Sequence, residues 1–181
     1  MPNPNEHGEL TIRPMAAADA AAVAEMAREL AAALEDPEPA LDPNDLIRDG
    51  TGSERWFDCL VAVVDGNVIG YAMVCRGYEA HMAKRRLWLS DLYVRTKARR
   101  SGAGRALMTA VARLAIAHGC EAVYWDLWRL NRLGKAFYES LGAVEIGELA
   151  IWHAGSWQLA AAGEAIGRWQ AVASQDTLIA K

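Results

Sequence analysis

Apolar residues recur along this chain with two different periods. From Asp19, which stands where a helix cap belongs, Val23, Met26, Leu30 and Leu34 fall three and four residues apart among alanines, so this stretch predicts an amphipathic helix. Phe57 to Val64 and Val68 to Arg76 are β-rich runs, and Asp65-Gly66-Asn67 between them is a hairpin signal with glycine where a positive φ is needed. A polar connection, Gly77 to Lys84, leads to a further strand, Leu87 to Val94. A helix beginning near Ala103 then carries Leu107, Val111 and Leu114 on one face and ends at Gly119. Glu121 to Leu127 reads as the next strand, and Asn131 to Leu141 as a short helix closed by Gly142.

The ends and the gaps complete the outline. Residues 1–8 are polar and hold two prolines, which reads as a loose leader before a strand at Glu9 to Arg13. The prolines and acids from Glu35 to Pro43 break the first helix, and a short helix near Asn44 to Arg48 follows. Ala143 to Glu148 and Ser156 to Ala162 predict a closing antiparallel pair, Glu164 to Val172 a last helix, and 174–181 a tail. The strand, turn, helix, strand order from Leu87 to Leu127 requires a right-handed crossover with those two strands parallel. The expected class is α/β (α+β): one domain over 9–173 with a mixed, mostly antiparallel sheet flanked by helices.

Composition narrows the function. With 181 residues, 52% of them hydrophobic and 23% charged, the chain suits one core-bearing domain. A formal net charge of −4 argues against general nucleic-acid affinity, and no signal peptide or membrane-length apolar run is apparent. Cys59, Cys75 and Cys120 lie among apolar neighbours without metal-ligand spacing, so the expectation is a cytoplasmic protein with reduced thiols and no metal.

Against that acidic background one basic stretch stands out. Arg95 to Arg105 joins the predicted strand to the predicted helix and carries Arg95, Lys97, Arg99, Arg100 and Arg105 around the small residues Ser101, Gly102, Ala103 and Gly104. Small residues let a ligand approach the backbone, and the first N–H groups of a helix have no partner within it. The helix dipole and the cations add to the attraction, so the turn suits a phosphate or pyrophosphate. Neither the Walker spelling nor the three-glycine dinucleotide fingerprint is present.

Arg99-x-x-Gly102-x-Gly104 resembles the Gln/Arg-x-x-Gly-x-Gly/Ala signature of the GNAT superfamily of acetyl-CoA-dependent N-acetyltransferases. Leu89-Ser-Asp-Leu-Tyr-Val94 is similar to that family's fourth strand, Leu-Glu-Asp-Leu-Tyr-Val. Asn131 to Ala143 is similar to its Asn-x-x-Ala-x-x-Phe-Tyr-x-x-x-Gly element, with Gly134 in place of alanine. Trp157-Gln-Leu followed by Gly163-Glu-Ala-Ile resembles the end of the branch holding diamine and spermidine/spermine acetyltransferases.

The resemblance implies a division of labour. Acetyl-CoA is the co-substrate, with its pyrophosphate on Arg99, Arg100, Ser101, Gly102, Ala103, Gly104 and Arg105. The pantetheine arm pairs with backbone groups of Leu92, Tyr93 and Val94 and with Asn131, and one strand N–H polarises the thioester carbonyl. Tyr138 protonates the leaving thiolate, which is uphill by roughly 2 kcal/mol for a phenol of pKa about 10 against a thiol of about 8.5. The acceptor amine, with a pKa of about 10.4, is only about a thousandth neutral near pH 7.4, so a base is needed.

Relatives of the spermidine type use a glutamate at the position of Ser90. Asp91 beside it is either that base or a structural acid, since adjacent strand residues point to opposite faces unless a bulge re-aims them. Ser90 is a candidate to order a water. The acids Glu35, Asp36, Glu38, Asp42 and Asp45 are either a solvated loop or the flank of an acceptor groove, with Trp56, Trp88 and Trp128 as candidate walls. The expected function is acetyl transfer to a primary amine, small-molecule amines favoured. The alternatives are an acetyltransferase of protein amines and a non-catalytic CoA-binding sensor or interaction module. The resemblance also implies a homodimer.

Overall fold

The computed structural model describes residues 8–146. The chain divides into two compact units, Met1–Asp126 and Leu127–Lys181, described here in turn. Five strands of the first unit, β1 (Thr11–Pro14), β2 (Asp58–Val64), β3 (Asn67–Glu79), β4 (Lys84–Val94) and β5 (Ala122–Tyr124), form one sheet in chain order. The first four run antiparallel and β5 pairs with β4 in parallel. Asp65 and Gly66 both take positive φ, 49° and 77°, the twist that lets a two-residue loop join Val64 to its partner Asn67.

Gly77 to Lys84 is not the polar connection expected from its composition. It forms the end of β3, a 3-10 turn at Ala80–Met82 and the start of β4, in the register Gly77↔Arg86, Tyr78↔Arg85 and Glu79↔Lys84. The hairpin tip runs beyond the core, so its strands keep polar side chains on both faces and are held by ladder bonds and the Glu79–Arg86 ion pair.

Two layers of helix cover the sheet. α1 (Ala20–Ala33) and α2 (Pro43–Thr51) bury Val23, Met26 and Leu46 against Cys59, Val61, Tyr71 and Tyr93 on one face. α3 (Ala103–Ala117) turns Leu107 and Val111 to the alternate strand residues, among them Ala62, Ala72, Val74, Leu87 and Leu89, all buried. Asp19 flanks α1 as expected but caps differently: its carboxylate accepts from the Ala16 amide at 2.8 Å and pairs with Arg13 at 2.5 Å. β4, α3 and β5 form the anticipated crossover. β5 is shorter than the run Glu121 to Leu127, however, because it meets β4 only at Arg86↔Ala122, Leu87↔Val123 and Trp88↔Tyr124.

In the second unit, α4 (Arg132–Glu139) starts one residue after Asn131. Asn131 is its N-cap, with Oδ1 accepting from the Gly134 amide at 2.8 Å. Leu133 on α4 is 82% exposed. Residues 143–146 have no regular structure where a strand was expected. Ser156–Ala162, Glu164–Val172 and the tail lie outside the described residues, as does most of the leader. Among the described residues no helix is long and apolar enough to cross a membrane, and no cluster of His, Cys, Asp or Glu is arranged to hold a metal ion.

Candidate active site

The register of β3 against β4 slips in the middle of the sheet. Met73 faces Asp91, but Val74 faces Leu89, so Ser90 is one residue too many on β4. A bulge of this kind breaks strict alternation and can turn two successive side chains to one face. Here it does so. The Asp91 carboxylate accepts from the Tyr71 hydroxyl at 3.3 Å, and Ser90 Oγ lies 3.5 Å from Cys75 Sγ. Tyr71 and Cys75 stand four residues apart on β3 and so share a face, which is the one packed by α1 and α2. Both candidates therefore project to the same side.

Their surroundings separate a charged group from a neutral one. Burial holds the Asp91 carboxyl above the usual carboxylate range; the Tyr71 hydrogen bond opposes that, and the charge of Asp126 adds to it. Burial and the nearby Asp91 likewise push Tyr71 well above an ordinary phenol, and the Cys59 thiol up to about 12. An acid raised toward neutrality, facing a partly open surface, is suited to receive a proton. Ser90 is exposed and Trp88, two residues before it, is 43% exposed.

At its far end β4 runs directly into the basic turn. A 3-10 turn at Thr96–Ala98 is followed by two left-handed residues, Arg100 at φ 65° and Gly102 at φ 90°, which bring the chain round to the first turn of α3. The Ala103 amide reaches only Ser101 Oγ, at 3.4 Å, and the amides that follow open the helix. The five cations do not act alike. Arg95 is held by Glu25 at 2.5 Å and Glu29 at 3.4 Å on α1, so it ties the turn to the helix rather than offering a free charge. Arg99 donates to the Val94 carbonyl and lies 5.7 Å above the Tyr93 ring. Lys97, Arg100 and Arg105 are exposed.

Between bulge and turn, β4 keeps a free side. Its pairing with β5 ends at Trp88, and among the described residues no strand adds to that edge from Leu89 to Val94. Tyr93 differs from its neighbours in burying its ring in the core, 6% exposed, where burial and then Glu29 raise the phenol.

Other expected features have different partners. Asp42 caps α2 through the Asn44 amide, Asp45 and Asp49 hold Arg48, and Glu38 lies 3.8 Å from Arg28. The acid segment thus spends much of its charge locally. A hollow of about 570 Å³ there is lined by Arg28, Glu38, Leu41 and Asp42, which carry both signs. In the second unit Tyr138 is half-buried on α4, its ring 5.2 Å from Phe137 and edge-on to it, and Asn131 commits its carbonyl oxygen to the helix cap. Tyr71 and Cys75 were not singled out by sequence. Their signal was that they share a strand face whose register with β4 only the structure supplies.

Among the described residues, an unpaired strand edge leads to a helix N-terminus beside cations, where backbone amides and charge favour an anion. The chain belongs to the acetyltransferase (GNAT) family, which matches residues 23–143. It is 29% identical over 113 residues to thialysine N-epsilon-acetyltransferase of Bos taurus, covering 58% of this chain and 66% of that one. It is 35% identical over 78 residues to L-ornithine N5-acetyltransferase of Arabidopsis thaliana, covering 42% and 33%. The matches therefore span less than two thirds of these relatives. Among solved structures, an integron cassette protein from the mobile metagenome of V. cholerae superposes with a TM-score of 0.70 at 23% identity, over 86% of this chain and 98% of that one. An aminoglycoside acetyltransferase from an uncultured soil metagenome does so with 0.68 at 20% identity, over 81% and 95%. These two share the fold.

Proposed function

We propose that the chain transfers an acetyl group from acetyl-CoA to the primary amine of a small molecule, by direct attack in a ternary complex. The bulge at Ser90 supports this reading, because it aims Asp91 to one side of a strand whose edge, unpaired among the described residues, leads to the basic turn before α3. In this reading the pyrophosphate lies on the amides from Ser101 to Arg105 with Arg99 and Arg100, and the pantetheine arm runs along Leu92, Tyr93 and Val94. Asn131 contributes its Nδ2, since its Oδ1 already serves the Gly134 amide. The amine nitrogen attacks the thioester carbon, the C–S bond breaks, Asp91 takes the proton from nitrogen directly or through a water held by Ser90, and Tyr138 gives one to the thiolate. Thialysine and ornithine, for which the two relatives are named, each carry a primary amine on a flexible chain, which supports a small cationic acceptor.

Release of the CoA thiol, followed across a panel of diamines, amino acids with side-chain amines, aminoglycosides and lysine peptides, tests this. Amine-dependent release with small acceptors is the expected outcome. Release only with peptides would shift the acceptor to protein amines. Silence across the panel, with CoA still raising Tm, would favour a non-catalytic CoA-binding module.

A homodimer belongs to the same reading. Trp56 is 80% and Tyr78 64% exposed among the described residues, apolar surface that a second copy would cover. Light scattering is expected to give twice the chain mass at micromolar concentration; the single-chain mass throughout would remove the dimer.

A further inference from the structure

Tyr71 is the largest of the fully buried side chains among the described residues, and it is polar at its tip. Its backbone is fixed in the centre of the sheet, opposite Val61 on one side and Tyr93 on the other, so the ring has no freedom to swing. The hydroxyl reaches Asp91 Oδ2 at 3.3 Å. That is at the long end for a phenol and a carboxylate. Two steps along the same face, past Met73, Cys75 meets Ser90, so β3 touches both residues that the bulge turns toward the site.

The groups around Asp91 divide by what they do to a charge there. Burial, and to a smaller degree Asp126 after β5, disfavour it. Cys59, on β2, is neutral, its thiol raised by burial. Met73, across from Asp91 on β3, is apolar, and Tyr93, two residues along β4, is engaged by Glu29 of α1. The Tyr71 hydroxyl is the group that favours the ionised carboxylate.

We propose that Tyr71 is a positioning residue for acyl transfer, holding the Asp91 carboxylate by Oδ2 from beneath the bulge so that Oδ1 is left to take the acceptor's proton. This rests on the base role given to Asp91 above. Deleting the hydroxyl removes a donor to the charged form, so the Asp91 carboxyl must then lose its proton at higher pH.

Tyr71→Phe tests this, since it keeps the ring. The acid limb of kcat/KM is expected to move up by about one pH unit, giving about tenfold lower rates below the limb and near wild-type rates above it. KM for acetyl-CoA should not change. In an Asp91→Asn background the limb should be gone and Tyr71→Phe should add nothing. Carbon NMR of the Asp91 carboxyl reads the same shift without turnover. In the wild-type protein a ring-labelled Tyr71 resonance should follow the Asp91 titration, which decides the matter if Tyr71→Phe does not fold. An unmoved limb and carboxyl titration in Tyr71→Phe, or a Tyr71 resonance blind to Asp91, would overturn the role of Tyr71 alone. Full activity of Asp91→Asn would overturn the base reading and the inference with it.

Discussion

Replacing Tyr138 with Phe is expected to leave acetyl-CoA binding close to wild type while lowering turnover by about 10²-fold or more. The substitution keeps the ring, and with it the edge-on contact to Phe137, and removes only the oxygen. Half-buried near the end of α4, the side chain keeps its ring as Phe, so Tm should hardly move. If the hydroxyl donates to the departing thiolate, its loss is felt only as the C–S bond breaks, and kcat and kcat/KM for acetyl-CoA fall together. The measurement is steady-state thiol release at saturating amine, beside direct binding of acetyl-CoA. Wild-type turnover in the variant would refute the role given to this tyrosine.

The second large effect belongs to the turn before α3. Reversing Arg99 and Arg100 together to Glu places two negative charges beside amides that are proposed to receive a pyrophosphate, and should weaken CoA binding by about 10²-fold. At a concentration a hundred times the wild-type Kd, bound ligand stabilises the fold by about 2.7 kcal/mol; at the same concentration the variant would retain only about 0.4 kcal/mol. For a chain of this size that difference reads as a ligand-induced rise in Tm of about 5–10 °C shrinking to about 1 °C. Arg48→Glu is the control. It sits between Asp45 and Asp49 on α2, so its reversal should lower the starting Tm yet leave the increment from CoA intact. An equal loss of increment in both proteins would count against the turn as the anion site.

Periodicity and turn chemistry made much of the sheet legible. The two left-handed residues at Asp65 and Gly66 settle their hairpin locally, and α3 shows its buried stripe in the spacing of Leu107 and Val111. Composition misled where an element extends past the core. The tip of the β3–β4 hairpin is polar because solvent reaches both its faces, and polarity there reads as loop. The cap at Asn131 shows a further limit: the residue belongs to the expected motif, but its oxygen is spent on the Gly134 amide rather than on a helix face.

The bulge could not be read at all from one strand. Nothing in Leu-Ser-Asp-Leu marks Ser90 as supernumerary, because a bulge is a mismatch between two strands and the second strand sets the count. The relation of Asp91 to Tyr71 follows from that same register. Sequence could therefore offer two candidates on adjacent residues, and only the pairing of β3 with β4 turns both to one side.

The free side of β4 from Leu89 to Val94 also bears on how the protein avoids its own copies. Unpaired strand edges invite association with other chains, and a long flat one is a template for aggregation. Here the stretch, unpaired among the described residues, begins at a bulge and ends in a turn with two left-handed residues, so a straight strand from another molecule would lose register at one end and meet a reversal of the backbone at the other. A short flexible ligand can follow that course where a pleated neighbour cannot. The irregularities proposed to make room for a substrate arm would thereby also keep the same row of amides from seeding an assembly.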